Sequence, residues 1–466
     1  MAPSPSPERR VRLHVSAGSP LAEVFLVGHD FALVDRAVGD LDSEVAPGVY
    51  KVKATLGDAL TEKMVVLDSD ATLDLSGALT VASPAPLAGT ARAPQPARAT
   101  ADRLSAEAPA REGVARVFVM ARAWTGRGAA DAVPPEVSLH RPDGEVVAVP
   151  GPLPGGDAGT HTVTVEVEPG PYFLRWVDES GVTGEQCVHT VDGWQTQVFV
   201  LEEGVEPEEL GRTRISILMG RDGFDSGELQ LRRVEEARTA LASERLVAAG
   251  FLNTALPEEL TNPMLALFGA HLMLIARDKR RTPEPGRPDA PVTFEQERFD
   301  AVVGALRELL GAAHPDVVAL STQASGTDPG TLPPVAAPPM LWRSWVLLIE
   351  ASNEAPALVP VETWRRTVKL LPLRPFLLWS PEDEEPTIGE EWKAAVERAL
   401  ATAKREPDAP RPPGAGGPLA SMLASGAAEA AEPGGVEAGE ETRRRVSREL
   451  LAPRAAIDQL AEPPAS

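Results

Sequence analysis

One ten-residue pattern occurs twice in this sequence and constrains the fold more than any other feature. VAPGVYKVKA begins at Val45 and VEPGPYFLRW begins at Val167, so the two copies are 167 − 45 = 122 residues apart. Both contain Pro-Gly-x-Tyr, and Tyr50 and Tyr172 are the only two tyrosines of the chain. Pro-Gly favours a turn, and the alternating residues after it are typical of a half-buried strand. The repeat predicts two equivalent turn-and-strand units.

Further short strands surround both copies. VRLHVSA and AEVFLVG precede the first copy, ARVFVMARAW and THTVTVEV precede the second, and EKMVVLD and EQCVHTV follow them in turn. Short strands separated by Gly, Pro and Asp predict two antiparallel β-sandwiches of the Ig-like or transthyretin-like type, at 10–78 and 113–203. The Ala- and Pro-rich segment 79–112 between them predicts a semi-rigid, disordered linker.

The hydrophobic spacing becomes helical after residue 203, and we predict a mainly helical domain over 205–404 that retains the short strands RISILMG and PFLLWS. Asn262 suits an N-cap and Pro263 the first helical position. The segment that follows is apolar on every side, which predicts a buried central helix. Thr293 and Gln296 match a capping box, and further helices are expected near 339–351 and after Thr387.

The C-terminal segment 405–466 is rich in Pro, Gly and Ala and is predicted to be a disordered tail. Within it, 440–460 has the pattern of a short amphipathic helix, with Leu450, Ile457 and Leu460 on its apolar side. Such a segment docks on a partner or folds back onto its own domain. The alternative is that it stays unstructured.

Composition excludes several classes of partner. The net charge is 45 − 68 = −23, which disfavours binding to nucleic acid. Cys187 is the single cysteine, so no disulfide forms within the chain, which suits a reducing compartment. The N-terminus lacks the apolar stretch of a signal peptide, and the longest apolar run, 265–276, is too short to cross a bilayer. We expect a cytoplasmic protein with no membrane or nucleic-acid partner.

The catalytic and nucleotide-binding motifs GxGxxG, GxxxxGK[ST], GxSxG and HExxH do not occur in the sequence. Cys187 and His189 share one face of a predicted strand, a poor arrangement for a nucleophile and its base. His271 lies in the most apolar helix and is expected to be a core residue that bonds a loop carbonyl, with His314 the only other histidine of that domain. We interpret all four as structural.

Two groups of acidic residues and the tryptophans are the remaining candidates for a functional site. Asp222, Asp225 and Glu228 miss the spacing of a calcium loop, Ser226 is predicted to cap the next helix, and 382–385 is predicted to be a solvated loop. The tryptophans of the helical domain are interpreted as core, with an interface anchor as the alternative: Trp342, Trp345, Trp364, Trp379 and Trp392. We therefore predict no catalytic, cofactor-binding or metal-binding residue.

Two resemblances add to these patterns. The Pro-Gly-x-Tyr turn and its alternating strand resemble the carboxypeptidase-regulatory-like and PEGA-like β-sandwich modules, which implies binding or spacer modules without catalytic residues. NPMLALFGAHLML, with AAHPDVVAL further on, resembles a bacterial helical module that commonly reads Asn-Pro-Met-Leu-Gly-x-x-Gly-Ala-His-Leu; Ala266 replaces the usual glycine. That module is associated with caspase-like or trypsin-like peptidases, which implies an accessory role.

These observations predict a non-enzymatic adaptor or accessory protein that binds a protein partner, such as a peptidase-type effector, and has no cofactor. Two other functions stay open. One is a hydrolase with an unrecognised site in the helical domain, which a deep pocket of polar residues with shifted pKa values would favour. The other is a polysaccharide- or surface-binding protein that uses the β-sandwiches. The partner and the oligomeric state do not follow from the sequence.

Overall fold

The structure is a computed structural model of the full chain. It describes residues 9–19, 21–56, 59–79, 83–90, 93–124, 133–153, 159–178, 181–203, 213–244, 262–281, 294–371, 373–381, 396, 399 and 440–461. Within these ranges, the N-terminal part consists of β-sheets and the C-terminal part is mainly helical. Of the predicted fifth helix, after Thr387, the structure describes Val396 and Ala399, which are helical and buried, and residues 405–439 of the predicted tail lie outside the described residues.

The first β-module, as we name residues 11–74, consists of two sheets. Its strands are β1 (Val11–Ser16), β2 (Glu23–Val27), β3 (Leu33–Val38), β4 (Leu41–Val45), β5 (Gly48–Leu56), β6 (Ala59–Leu67) and β7 (Ala71–Asp74). One sheet has the order β4-β1-β7 and the other β3-β2-β5-β6. β1 and β7 are parallel, and the other neighbours are antiparallel.

The second β-module, residues 115–220, repeats this arrangement. Its strands are β8 (Ala115–Trp124), β9 (Glu136–His140), β10 (Val146–Ala148), β11 (Gly151–Pro152), β12 (Thr160–Val167), β13 (Gly170–Val177), β14 (Thr183–Thr190), β15 (Gln195–Glu203) and β16 (Thr213–Gly220). The order β12-β8-β15 matches β4-β1-β7, including its parallel pair, and β10-β9-β13-β14 matches β3-β2-β5-β6. β11 and β16 extend the first of these sheets, so the module continues beyond residue 203.

The segment between the modules contains a helix, α1 (Gln95–Ala106), although 79–112 was predicted to be a disordered linker. Gln195 donates from Nε2 to the carbonyl oxygens of Ser105 and Ala108, at 2.9 Å each. Ser226 Oγ donates to Asp102 Oδ2 over 2.8 Å. The prediction of disorder was wrong because Gln195 and Ser226, which are distant in sequence, hold this segment, and because its alanines favour a helix once it is held.

Eight more helices are described after the second β-module. They are α2 (Leu229–Ala242), α3 (Pro263–Arg281), α4 (Gln296–Leu310), α5 (Pro315–Ser321), α6 (Trp342–Ser352), α7 (Val361–Arg365), α8 (Glu440–Leu450) and α9 (Arg454–Ala461). Asn262 caps α3 as predicted, since its Oδ1 accepts from the backbone N of Leu265 at 3.1 Å. Residues 263–276 are all buried, which confirms the central helix.

Two predicted helix starts differ from the structure. α4 begins at Gln296 rather than Thr293, and Gln296 donates to Asp300 Oδ1 and to the carbonyl of Gln323 instead of reaching back as in a capping box. α2 has Glu228 at its N-cap position, without a side-chain hydrogen bond, because the predicted cap Ser226 is bonded to Asp102 of the preceding helix. In both cases the side chain forms hydrogen bonds with other residues instead of the capping bond that was predicted.

The helical region joins the second β-module through a shared sheet. β17 (Leu370–Leu371) and β18 (Leu378–Trp379) extend that sheet beyond β14, giving the order β10-β9-β13-β14-β18-β17. The strand predicted from PFLLWS is therefore confirmed as β18, and it belongs to the sheet of the preceding module. The predicted boundary at 203–205 is crossed by this sheet and by the β15–β16 pair.

Helices α8 and α9 fold back onto α6. Ser352 Oγ accepts from the backbone N of Arg454 at 3.1 Å, and Asn353 Nδ2 donates to Ser447 Oγ over 3.4 Å. Val446 and Ile457 are fully buried. The short helix predicted over 440–460 is thus present as two helices. They pack on their own domain, which is one of the alternatives that the sequence left open.

Candidate binding surface

The Pro-Gly-x-Tyr turns contain the same tyrosine hydrogen bond in both modules. Tyr50 donates its hydroxyl to the carbonyl of Ala46 over 2.7 Å, and Tyr172 donates to the carbonyl of Glu168 over 3.1 Å. Each bond closes the turn back onto the residue four positions earlier and fixes where the following strand begins. The predicted equivalence of the two units, in separate sheets, is confirmed.

The register carries this equivalence into the neighbouring strand. Tyr50 lies opposite Val65 of β6, and Tyr172 lies opposite Val188 of β14. Counting along each strand, Lys53 and Glu62 occupy the places of Arg175 and Glu185, and both are facing pairs of opposite charge. Corresponding positions of the two modules can therefore be compared one by one. The sheet face that they form is covered in the second module and open in the first.

The outward face of β13 and β14 is covered by the helical region. Glu185 is buried and accepts from Trp379 Nε1 at 3.0 Å and from Arg175 at 2.9 Å. The ring of Phe173 lies between Trp379, at 6.1 Å between centroids, and the guanidinium carbon of Arg366, at 4.0 Å. Both faces of this sheet are consequently part of the core, which is why β14 is buried along almost its whole length.

A cluster of buried polar side chains lies under this cover. The rings of His189 on β14 and His314 before α5 are 4.3 Å apart between centroids, and neither Nε2 atom has a hydrogen-bond partner among the described residues. Burial lowers the pKa of His189 to about 4. Burial, followed by the nearby His189, also lowers the pKa of His314. Both rings are therefore neutral at pH 7.

Asp316 and Ser344 continue the cluster towards α3. Burial raises the pKa of Asp316 to about 6, and hydrogen bonding from Ser344 and from the N–H groups of Met340 and Leu341 opposes that rise. His271 Nε2 lies 2.9 Å from Ser344 Oγ. His271 is thus the core residue that was predicted, but it bonds a serine hydroxyl rather than a loop carbonyl.

This cluster does not have the form of a hydrolytic site. Ser344 stands between His271 and Asp316, whereas activation of a serine nucleophile places the histidine between the serine and the acid. All three residues are fully buried. Two open clefts of about 440 Å³ and 290 Å³ are lined by other residues, around Arg307 and around Tyr172 respectively. The polar cluster and the clefts are separate features.

The corresponding face of the first β-module is open. Val49 on β5 is 43% exposed, and Leu60, Met64 and Val66 on β6 are 56%, 62% and 72% exposed. Alternation along β6 places its three residues on one face, and the pairing of Val49 with Val66 adds the fourth to the same face. We call these four residues, together with Lys51 and Lys53, the open face.

The open face is basic in an acidic protein. Lys51 and Lys53 point outward from β5, and Lys51 forms an ion pair with Glu62. On the neighbouring strand, Arg36 pairs with Glu23 over 2.7 Å. The chain as a whole carries a net charge of −23. Lys51 and Lys53 share one acidic residue, Glu62, on this face, and apolar side chains beside this excess of positive charge are typical of a contact surface.

Sequence reasoning did not single out the open face. EKMVVLD was predicted as a strand, but β6 is apolar on both of its faces, so alternation did not show which face would stay uncovered. The signal was the spacing of Leu60, Met64 and Val66 on alternate positions together with Lys63 between them. The covering elements of the other module come from residues far along the chain and cannot be inferred locally.

The structure places the cysteine, the three histidines and three of the tryptophans that were considered as candidates in the core. Cys187 is fully buried, and burial raises the pKa of its thiol well above the usual value, which disfavours the reactive thiolate. Asp225 accepts from the backbone N of Gly227, and no group of three or more His, Cys, Asp or Glu within the described ranges could hold a metal ion. Trp345, Trp364 and Trp379 are buried core residues, while Trp392 lies outside the described part.

Comparison with known proteins gives little. No family model matches the sequence, and no curated protein matches it. GBS52, the minor pilin of Streptococcus agalactiae, is 9% identical over 43% of this chain and 99% of its own, with a TM-score of 0.15. The tip fimbrial protein Mfa3 of Porphyromonas gingivalis is 6% identical over 46% of this chain and 100% of its own, also with a TM-score of 0.15. Similarity at this level supports no functional statement.

None of the described helices combines the length and hydrophobicity that crossing a bilayer requires.

Proposed function

We propose that this protein is a non-enzymatic accessory protein that binds a protein partner through the open face of its first β-module. The observation that carries the proposal is the difference in exposure between equivalent positions. Val66 is 72% exposed, whereas His189, at the same place in the second module, is buried against His314. A sheet face that the chain covers in one copy and leaves apolar and open in the other is suited to covering by a second protein.

The non-enzymatic part of the proposal is supported by the enclosure of the polar cluster around Asp316, which leaves its hydroxyl and imidazole groups without contact to solvent. The nature of the partner, a peptidase-type effector, and the cytoplasmic location are part of the same proposal and are supported by the sequence alone. We also propose that each β-module is an Ig-like or transthyretin-like sandwich. Burial of Leu13 on one sheet and Leu26 on the other, both fully enclosed, supports this arrangement.

The proposal is tested by comparing two variants that place the same charge on an exposed valine. Val66→Glu alters the open face, and Val146→Glu alters the second module, where Val146 is 52% exposed. Proteins that co-purify from a host lysate with the full chain should be lost with Val66→Glu and retained with Val146→Glu, at equal melting temperatures. The proposal is contradicted if both variants retain the co-purifying proteins equally. It is also contradicted if no specific protein co-purifies with the unmodified chain.

A further inference from the structure

We infer that the free edge of β6 accepts an extended segment of the partner protein, which pairs antiparallel with β6 and carries an acidic residue opposite Lys63. This inference rests on the proposed function and gives the partner a chemistry: a β-strand with apolar residues at alternate positions and one carboxylate between them. The segment adds a strand to the sheet β3-β2-β5-β6, next to the open face.

The edge is long and unoccupied in the described chain. β6 pairs with β5 over all nine of its residues, Ala59–Leu67, without a bulge. No strand within the described ranges lies on its other side. An edge of this length presents a row of unpaired N–H and C=O groups, which another extended chain can satisfy.

The second β-module shows how this edge is used when it is occupied. β18 pairs antiparallel with β14 at Glu185 and Gln186. By the register, these two positions correspond to Glu62 and Lys63 of β6. The sheet thus takes an added strand at this place in one module, and the same place is vacant in the other, among the residues that the structure describes.

The side chains of β6 define the sequence that fits. Leu60, Met64 and Val66 project to the open face, so residues opposite them must be apolar to extend that surface. Lys63 projects to the opposite face, is exposed and has no ion-pair partner in the described part of the chain. An acidic residue directly across from it forms a cross-strand pair of opposite charge. Glu62 already has Lys51 and does not require a counter-ion.

Lys63 also decides between this partner and a second copy of the chain. Antiparallel pairing of two β6 strands centred on Lys63 would set the two lysines opposite each other, which is unfavourable. Three of the seven lysines of the chain, Lys51, Lys53 and Lys63, lie on these two strands, whereas the whole chain is strongly acidic. The charge therefore favours an acidic strand from another protein.

The test uses the full chain and two synthetic peptides that differ in one residue. The glutamate peptide places valine opposite Val66, Met64 and Leu60, threonine opposite Val65, Glu62 and Thr61, and glutamate opposite Lys63. The lysine peptide has lysine in place of the glutamate. Fluorescence anisotropy of the labelled glutamate peptide should show saturable binding with a Kd below about 100 μM, and the lysine peptide should bind roughly tenfold more weakly.

Charge reversal separates the edge from the rest of the first β-module. Lys63→Glu should weaken the glutamate peptide roughly tenfold and restore the lysine peptide. Arg12→Glu makes the same charge change at an exposed position of β1, in the other sheet of the module, and should alter neither affinity more than about twofold. Met64→Thr should weaken both peptides by a few fold, because it removes an apolar contact and leaves the charge unchanged.

Each other outcome overturns the inference. Peptides that do not bind, or whose preference is unaffected by Lys63→Glu, exclude strand addition at this register. A chain that forms dimers by light scattering, and loses them in Lys63→Glu, has a second copy on the edge instead. If strand addition fails while Val66→Glu still loses the co-purifying partner, the proposed function stands and the partner binds the open face in another way.

Discussion

The two β-modules share one topology and differ in what lies over a single sheet. In the second module, β14 is followed in the sheet by β18, and Trp379 and His314 cover its outward face. In the first module, β6 is the last strand, and Met64 and Val66 on the same face are exposed. The difference does not follow from polarity, because Met64 is no less apolar than Cys187 at the same place. It follows from where the chain supplies a cover.

This comparison is the basis for our proposal that the repeated unit accepts two kinds of occupant. The helical region of the same chain occupies one copy. Among the described residues, the other copy has an apolar face, an edge without a paired strand, and Lys63 without an ion-pair partner, and from these features we propose an external occupant.

The largest effect is expected from removing a covered side chain. Phe173→Ala should destabilise the protein by about 3–5 kcal/mol, because the ring is buried against Trp379 and Arg366. Lys51 occupies the same place on β5, and Lys51→Ala should change stability by no more than about 0.5 kcal/mol. Urea denaturation of both variants measures the difference. Similar losses would mean that the first module is also covered in solution.

The C-terminal helices, which pack on α6, give the next effect. Ile457→Ala should cost about 2–5 kcal/mol, since Ile457 on α9 is fully buried. Gln459 lies on the same helix and is exposed, so Gln459→Ala should be within about 0.5 kcal/mol of the wild type. Thermal unfolding distinguishes the two substitutions. Equal melting temperatures for both variants would show that α9 does not pack on its own domain.

Acid should act on the covered face through its histidines. Burial lowers the pKa of His189 from 6.5 to about 4, so the unfolded chain takes up this proton first as the pH falls. The stability due to neutral His189 is complete above pH 6.5, declines below it, and is reduced by about 3 kcal/mol near pH 4. Asp316 acts in the opposite sense below pH 6, because burial raises its pKa to about 6 and the folded state protonates first.

Exchanging residues between equivalent places isolates the histidine contribution. His189→Val introduces the residue of the open face and should flatten the loss of stability between pH 6.5 and 4 by about 3 kcal/mol. Val66→His places a histidine on the open face, where solvent access should leave the pH dependence of stability unchanged. Urea midpoints across this pH range provide the measurement. An unaltered acid response in His189→Val would remove His189 from the explanation.

The smallest effect concerns the turns that both modules share. Tyr50→Phe and Tyr172→Phe each remove one hydroxyl bond to a backbone carbonyl, and each should cost about 0.5–1.5 kcal/mol. Tyr172 is the more buried of the two, so its substitution should cost more. Denaturation curves of the single variants check this order. A cost several times larger at Tyr50 would indicate that the first turn is enclosed by something other than its own module.

The sequence predicted the parts of the fold whose determinants are local. Pro-Gly-x-Tyr and alternating residues were enough for β5 and β13, and Asn262 with Pro263 was enough for the start of α3. It failed where distant partners decide the outcome. The helix at 95–106 depends on bonds to Gln195 and Ser226, and Ser226 is drawn away from the cap of α2 by Asp102.

The candidate surface was harder to predict for the same reason. Alternation in β6 places Leu60, Met64 and Val66 on one face, but only the position of the covering elements shows whether that face is exposed. In the second module the cover comes from residues near 314 and 379, well over a hundred positions after β14. His271 in its apolar helix was predicted to be a core residue, whereas the burial of Asp316 and the contacts among the buried polar side chains depend on the tertiary structure.

The most direct test of the account compares backbone protection of the two equivalent strands. Hydrogen exchange, followed by mass spectrometry of fragments spanning 59–67 and 183–190, reports the opening of β6 and β14 in one sample. We expect the amides of β14 to exchange at least about tenfold more slowly than those of β6, with no dependence on protein concentration. Equal protection of the two strands in dilute protein would contradict the claim that one copy of the sheet is covered and the other is open.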